Sequence, residues 1–328
     1  HDAHQHMAWF GASLDEFDRA TPPLRNLEAL AGAIATAAAS TPGDTWIVGN
    51  GYDENKIGGH PDRDLLERAA PSRKVLLTHT SGHMSVVSSV VLAQLGLSES
   101  GCDVPGGTVV VDGSGRPTGL LQEQAQNLLA PLRRPVPVDD VAHAIARASE
   151  VYVRQGITSV VEAGVGGGWI GRTPVEVLAY QRARDAGQLN VRVELMVASD
   201  VLRMLPDDLG SGIDLGLRTG FGDDWLRLGP VKVFSDGSLI GHTAAMCHDF
   251  SDSPGVRGYL QDDADALAET IVSAHRSGWR VATHAIGDAA IDLVLDAYER
   301  CVRDYPWAGN REPRHRIEHF GVARPDQV

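Results

Sequence analysis

The sequence is short of basic residues, cysteines and aromatic rings, and it has no long apolar run. Lys and Arg number 29 against 43 Asp and Glu, a formal net charge of -14 with His neutral. That balance repels a phosphate backbone, and no Lys/Arg-rich run offers a local basic patch, so nucleic acid is not expected as a partner. The strongest apolar stretch, residues 86–97, is broken by Ser and Gln and falls well short of the ~20 residues needed to cross a bilayer. No membrane span is expected. Cys102, Cys247 and Cys301 are far apart, odd in number and free of C-x-x-C spacing, which argues against a disulfide framework and against a thiolate zinc site. They read as buried or incidental thiols. His1 opens the chain without a charged n-region or an apolar h-region, so secretion gains no support and the cytoplasm is the expected compartment.

What is present is the composition of an ordinary globular enzyme: 328 residues, 43% hydrophobic and 22% charged, enough for one large α/β domain. Short runs rich in Val, Ile and Thr, bounded by Gly or Pro, read as buried strands. They fall at residues 2–6, 46–48, 74–78, 157–161, 191–197, 230–234, 279–283 and 314–319. Amphipathic stretches lie between them at 24–39, 138–155, 174–186, 262–277 and 289–303; in the last, Ile291, Val294, Leu295 and Tyr298 recur at helical spacing. Alternation of this kind predicts a parallel sheet or barrel. The spacing turns irregular between about residues 40 and 135, where Gly, Pro and Asp cluster, and that region reads as an insertion. Neither an internal repeat nor a low-complexity linker divides the chain.

The chemistry starts at His4-Gln5-His6. Two histidines two apart leave the same face of a strand and can converge on one metal ion, and imidazole suits zinc and related divalent ions. Alone the pair proves little, since two solvated histidines near a terminus look the same. Three later strand ends each add a potential ligand. Lys232 sits in an otherwise apolar strand, sharing one face with Phe234 and Asp236. A buried lysine favours its neutral amine, which can react with carbon dioxide to give a carbamate, an anionic oxygen ligand able to bridge two metals. The other reading of Lys232 is an ion pair with Asp236 or Glu162. His284 ends another strand just before a Gly-Asp turn, with Asp288 placed to cap the next helix. His319 repeats the arrangement. Strand ends of this kind are where the catalytic groups of barrels collect.

The order H-x-H, strand lysine, strand-end His, strand-end His resembles the amidohydrolase superfamily. More narrowly, Val231-Lys232-Val233-Phe234-Ser235-Asp236-Gly237-Ser238, Thr283-His284-Ala285-Ile286-Gly287-Asp288 and Arg316-Ile317-Glu318-His319 are similar to the amidohydrolase family 3 branch that contains N-substituted formamide deformylases. So are Gly156-Ile157-Thr158-Ser159-Val160, Ser81-Gly82-His83 and Pro117-Thr118-Gly119-Leu120-Leu121-Gln122-Glu123. The resemblance implies a (β/α)8 TIM-barrel fold, with strands 1 to 6 present and an insertion at 46–119 between strands 1 and 2. It implies His4 and His6 on strand 1, Lys232 on strand 4, His284 on strand 5 and His319 on strand 6. It also implies that strands 7 and 8, the aspartate that serves as ligand and proton shuttle, and a small β domain lie outside these residues.

By the same resemblance, the metal ligands are His4, His6, Lys232, His284 and His319, holding two Zn ions with Lys232 as the bridging carbamate. The implied reaction is hydrolysis of an amide-type, non-peptide carbon–nitrogen bond by a metal-activated hydroxide, on a small-molecule substrate, with a homo-oligomer left open. His83 falls where the branch places a pocket residue. Asp236 and Ser238 would shape the pocket mouth or form the turn after strand 4. Glu123 reads as a structural partner that could touch substrate, and Trp9 and Tyr52 as apolar walls or ordinary packing. The same ligands could serve a lactone or phosphoester hydrolase, because metals define nucleophile and electrophile but not the leaving group. A metal-free binding domain is the non-enzymatic alternative. A serine hydrolase lacks its G-x-S-x-G elbow here, and residues 164–168 lack the G-x-G-x-x-G spacing of a dinucleotide site.

Overall fold

The structure is a computed structural model that describes residues 1–14, 17–18, 24–206, 209–307 and 312–328, with the backbone alone described at 17–18. The chain divides into two compact units, one of His1–Ala12 with Leu132–Val328 and the other of Ser13–Pro131. Among the described residues no helix is long and apolar enough to cross a membrane.

The first unit is built on six strands: β1 (Asp2–Gln5), β2 (Ser159–Val165), β3 (Arg192–Ala198), β4 (Leu226–Phe234), β5 (Val281–Ala285) and β6 (Arg316–His319). They lie in chain order and every neighbouring pair is parallel. Helices α1 (Val138–Arg154), α2 (Glu176–Asp185), α3 (Ala264–Arg276) and α4 (Asp288–Asp304) fill four of the five connections, while among the described residues the one between β3 and β4 carries no α-helix. Sequential parallel strands joined through helices make a barrel of the (β/α)8 type, here with six strands. The sheet curls until it nearly closes, for Arg316 Nη2 on β6 donates to the carbonyl of Ala3 on β1 at 2.9 Å.

Alternation along the strands sorts the side chains. On β4, Val231 and Val233 join Ile271, Trp279, Ile291 and Val294 in the core between sheet and helices. Lys232 takes the opposite, inward face, in register with Ala198 and Ala282. Small neighbours leave room for its stem: a Cβ at Gly164 would lie 3.8 Å from Lys232 Cγ. The helices follow from their apolar spacing and caps. Asp263 accepts from the backbone N–H groups of Asp265 and Ala266 at the start of α3, and Arg276 stands at its other end, where positive charge complements the helix dipole. On α4 the buried Ile291, Val294 and Cys301 define the core-facing stripe, each fully buried aliphatic contributing roughly 1.5–3 kcal/mol.

The second unit contains residues 46–119 and has a core of its own around Leu30, Ile34, Ile47, Leu77 and Met84. Its six-stranded sheet is mixed. Phe17–Asp18, Ile47–Tyr52 and Val75–His79 run parallel, while Met84–Val87, Pro117–Glu123 and Gly107–Val111 add antiparallel neighbours.

Candidate metal centre

Register brings the inward side chains together at the C-terminal strand ends. Phe234 pairs with His284, and His284 with Glu318. The four histidine rings form a succession: His6 to His4 at 5.4 Å between centroids, His4 to His319 at 4.8 Å, and His319 to His284 at 4.6 Å. His284 is buried and His319 exposed. Lys232 lies beneath, 1% exposed, with Nζ 4.7 Å from the Phe234 ring. His319 and Phe320 have φ of +71° and +50°, a left-handed backbone that costs a non-glycine residue on the order of 1 kcal/mol or more and collects at functional sites.

Electrostatics decide which ring nitrogens can bind a cation. Glu318 is buried, which pushes its carboxyl up, but the hydrogen bond from His4 and the charges of His4, Lys232 and Arg316 bring it below the usual range. An ionised carboxylate only accepts, so the contact from His4 Nδ1 to Glu318 Oε2 places the ring proton on Nδ1 and the lone pair on Nε2. Burial, the largest influence, and Lys232 hold His4 below its ordinary value despite Glu318, so the ring is neutral near pH 7. His284 Nε2 donates to the carbonyl of Gly237 at 3.0 Å, with Asp236 Oδ1 at 3.3 Å, which puts the lone pair of a neutral ring on Nδ1. Burial takes Lys232 down to about 7, against the pull of Glu318 and with the push of Arg316. Its Nζ makes no hydrogen bond among the described residues. An amine buried without a partner is costly, and conversion to an anionic ligand between metals would relieve that cost. A neutral His4 ring and a neutral lysine amine beside further strand-end histidines fit a divalent metal.

The amidohydrolase family model matches residues 1–328. The chain belongs to the amidohydrolase family. It is 28% identical over 337 residues to N-substituted formamide deformylase of Arthrobacter pascens, covering 99% of this chain and 59% of that protein. To Protein LONG AFTER FAR-RED 3 of Arabidopsis thaliana it is 32% identical over 277 residues, 84% of this chain and 46% of that one. An uncharacterized metal-dependent hydrolase from Pyrococcus horikoshii OT3 superimposes with a TM-score of 0.66 at 26% identity, over 99% of this chain and 59% of its own. The chain thus spans about half the length of the curated relatives it matches.

The remaining residues singled out in the sequence each make hydrogen bonds of their own. Asp236, fully buried, accepts from the backbone N–H groups of Ala245 at 3.0 Å, Ile286 at 3.0 Å and Gly287 at 2.8 Å. It thereby ties the turn after β4 to the turn after β5. Ser238 closes the next turn: its N–H donates to Thr243 Oγ1 at 2.9 Å and its Oγ accepts from Gly241 at 3.2 Å. Trp9 donates from Nε1 to the carbonyl of Ile170 at 2.9 Å and leans toward His6. His83 and Glu123 belong to the second unit, joined by a 2.7 Å hydrogen bond at His83 Nδ1. Tyr52, fully buried, lies in that unit with its hydroxyl 3.2 Å from His60 Nδ1. Glu162, one of the partners considered for Lys232, instead accepts from Met7 N–H at 2.6 Å and Tyr180 Oη at 2.7 Å. Burial pushes it up to about 8.

Among the described residues, two groups place three potential ligand atoms within 4.8 Å of one another: His275, Cys301 and His315, and Asp53, Glu54 and His79. Proton bookkeeping satisfies both without a metal. Val281 N–H donates to His315 Nδ1 at 3.0 Å, so the proton of that ring is on Nε2, facing His275 Nδ1 at 2.9 Å; His275 Nε2 then donates to the carbonyl of Tyr305 at 2.7 Å. Burial raises the Cys301 thiol to about 12, far from the thiolate a metal needs. In the second unit Ser81 N–H donates to His79 Nδ1 at 3.1 Å, and His79 Nε2 passes its proton toward Glu54 at 2.6 Å. In both groups a ring proton already lies between two of the potential ligand atoms, on His315 Nε2 and on His79 Nε2.

Proposed function

We propose that His4, His6, Lys232, His284 and His319 hold divalent metal, most simply two zinc ions bridged by Lys232 as a carbamate. In this reading the chain belongs to a hydrolase of amide-type, non-peptide carbon–nitrogen bonds in small molecules. The observation that carries it is a fully buried lysine Nζ without a hydrogen-bond partner, set below four strand-end histidines. The name of the Arthrobacter relative, an N-substituted formamide deformylase, supports the bond type. Metal bound there would polarise a carbonyl oxygen and bring the pKa of a water near 7.

The chain's own residues supply the rest. His4 and His284 are oriented by Glu318 and by Gly237 with Asp236, so that each turns a defined nitrogen to the site. The neutral Lys232 amine attacks carbon dioxide: the N–C bond forms as one C=O π bond opens to a C–O⁻, the N–H proton is lost to solvent, and the resulting anionic oxygen donor would have its charge compensated by bound metal. Asp236 fixes the β4 and β5 turns that frame the mouth.

The test is turnover by the protein reconstituted with Zn2+ and bicarbonate, offered N-substituted formamides, simple lactones and phosphotriesters side by side. Amine release from the formamides, lost in Lys232→Ala, is the expected outcome. Turnover of lactones or phosphotriesters alone would move the reading to those bonds, and no turnover with no bound metal would remove it.

A further inference from the structure

Glu318 lies outside the proposed ligand set. It is 3% exposed and sits on the inward face of β6, one residue before His319. Two side chains, His4 and Arg316, meet it through three nitrogen atoms. His4 Nδ1, from β1 at the other edge of the sheet, meets Oε2. Arg316 Nε approaches Oε1 at 2.9 Å, and Arg316 Nη2 reaches Oε2 at 3.0 Å while also donating to the Ala3 carbonyl at 2.9 Å. One carboxylate and one guanidinium therefore fasten the first strand to the sixth beside the site.

We infer that Glu318 is a positioning residue for the metal centre: it fixes His4 in the Nδ1–H tautomer and points Nε2 at the metal, with Arg316 holding the carboxylate in place. The inference rests on the metal-centre reading above. Without such a partner, a neutral imidazole divides its proton between two nitrogens, and only one of the two forms can ligate through Nε2. A carboxylate on the distal nitrogen also raises the basicity of the ligating one, and losing such a partner weakens metal binding by roughly 10- to 100-fold. Arg316 adds a second constraint. Its planar fork spans Glu318 and the β1 backbone, so Glu318 cannot rotate away without breaking the seam between the strands.

Two measurements test this separately from the function. In metal-free protein labelled with 15N-histidine, and with His4→Ala to assign the signals, His4 is expected to be protonated on Nδ1. In Glu318→Ala that signal should move toward the Nε2–H form. In a competition assay with a chromophoric chelator, Zn2+ should bind about 10- to 100-fold more weakly to Glu318→Ala, and Glu318→Gln, which keeps an oxygen acceptor without the charge, should lose less. A wild-type His4 protonated on Nε2 overturns the inference, and that reading needs no variant to fold. So does unchanged Zn2+ affinity in both variants. If wild-type protein binds no Zn2+ while the tautomer responds to Glu318→Ala, the positioning role stands and the metal-centre reading falls.

Discussion

Replacing Lys232 by methionine should stabilise the metal-free protein at neutral pH and lose that advantage as the pH rises. The side chain is fully buried, and burial, only partly offset by Glu318, lowers its pKa from 10.5 to about 7. In the unfolded chain the amine is free to protonate near ~10.4. Between pH 10.5 and 7, then, the unfolded state binds a proton that the folded state does not. Stability of the native protein falls by ~1.4 kcal/mol for each pH unit across that window. The full cost is roughly 5 kcal/mol at pH 7 and below, and it vanishes above about pH 10.5. Methionine fills a similar volume with no charge, so a gain of about 3–5 kcal/mol is expected at pH 7. Urea denaturation of both proteins, free of metal and carbon dioxide and followed by tryptophan fluorescence at pH 7 to 10, measures it. Equal stabilities at pH 7, or a gap that does not shrink with rising pH, would refute the account of Lys232 as an unpaired buried amine.

Removing the Asp236 carboxylate as Asp236→Ala orphans three backbone donors at the strand ends, and should cost about 3–5 kcal/mol; a thermal melt that shows less than about 1 kcal/mol would contradict its tying role. The His275–His315 pair makes a pH prediction of the same sense as Lys232, in a more acidic window. Burial, followed by the charges of His275 and Arg280, holds His315 down to about 3, whereas the unfolded ring protonates near ~6.5. The stability this ring contributes is present above pH 6.5 and is lost as the pH falls toward 3, by up to ~1.4 kcal/mol per unit. His315→Phe should flatten that acid limb in urea midpoints taken at pH 7 and pH 4, and identical slopes in the two proteins would be evidence against it.

The barrel was legible because its strands and helices are strongly periodic, down to α4, where residues 289–303 were expected and Asp288–Asp304 is found. Boundaries slipped where local chemistry intervened. Strand β4 begins at Leu226 rather than Pro230, since a proline without an N–H can sit at the register shift between Leu228 and Val231. In the second unit the strands Met84–Val87, Pro117–Glu123 and Gly107–Val111 did not stand out. Met84–Val87 pairs with the sequence-distant Pro117–Glu123, and Gly119 at φ +99° and the opening Pro117 interrupt the alternation that would mark the latter.

At the site, Lys232 was visible as a charge in an apolar strand, and the histidines as strand-end polar residues. Glu318 was not, for a physical reason: a period of two puts adjacent residues on opposite faces, so a histidine ligand at 319 argues against its neighbour facing the same site. The left-handed φ at His319 turns the chain and lets both side chains reach it. The proton order in the His275 and His79 groups was equally hidden, because it depends on backbone donors, Val281 and Ser81, that composition cannot place.

Crystals of the protein reconstituted with Zn2+ and bicarbonate, measured at the zinc absorption edge, test the central claim most directly. The account predicts anomalous peaks among His4, His6, His284 and His319, with density extending from Lys232 Nζ between them. A plain amine at Lys232 with no peak beside it, or zinc bound only at His275, Cys301 and His315, would contradict it.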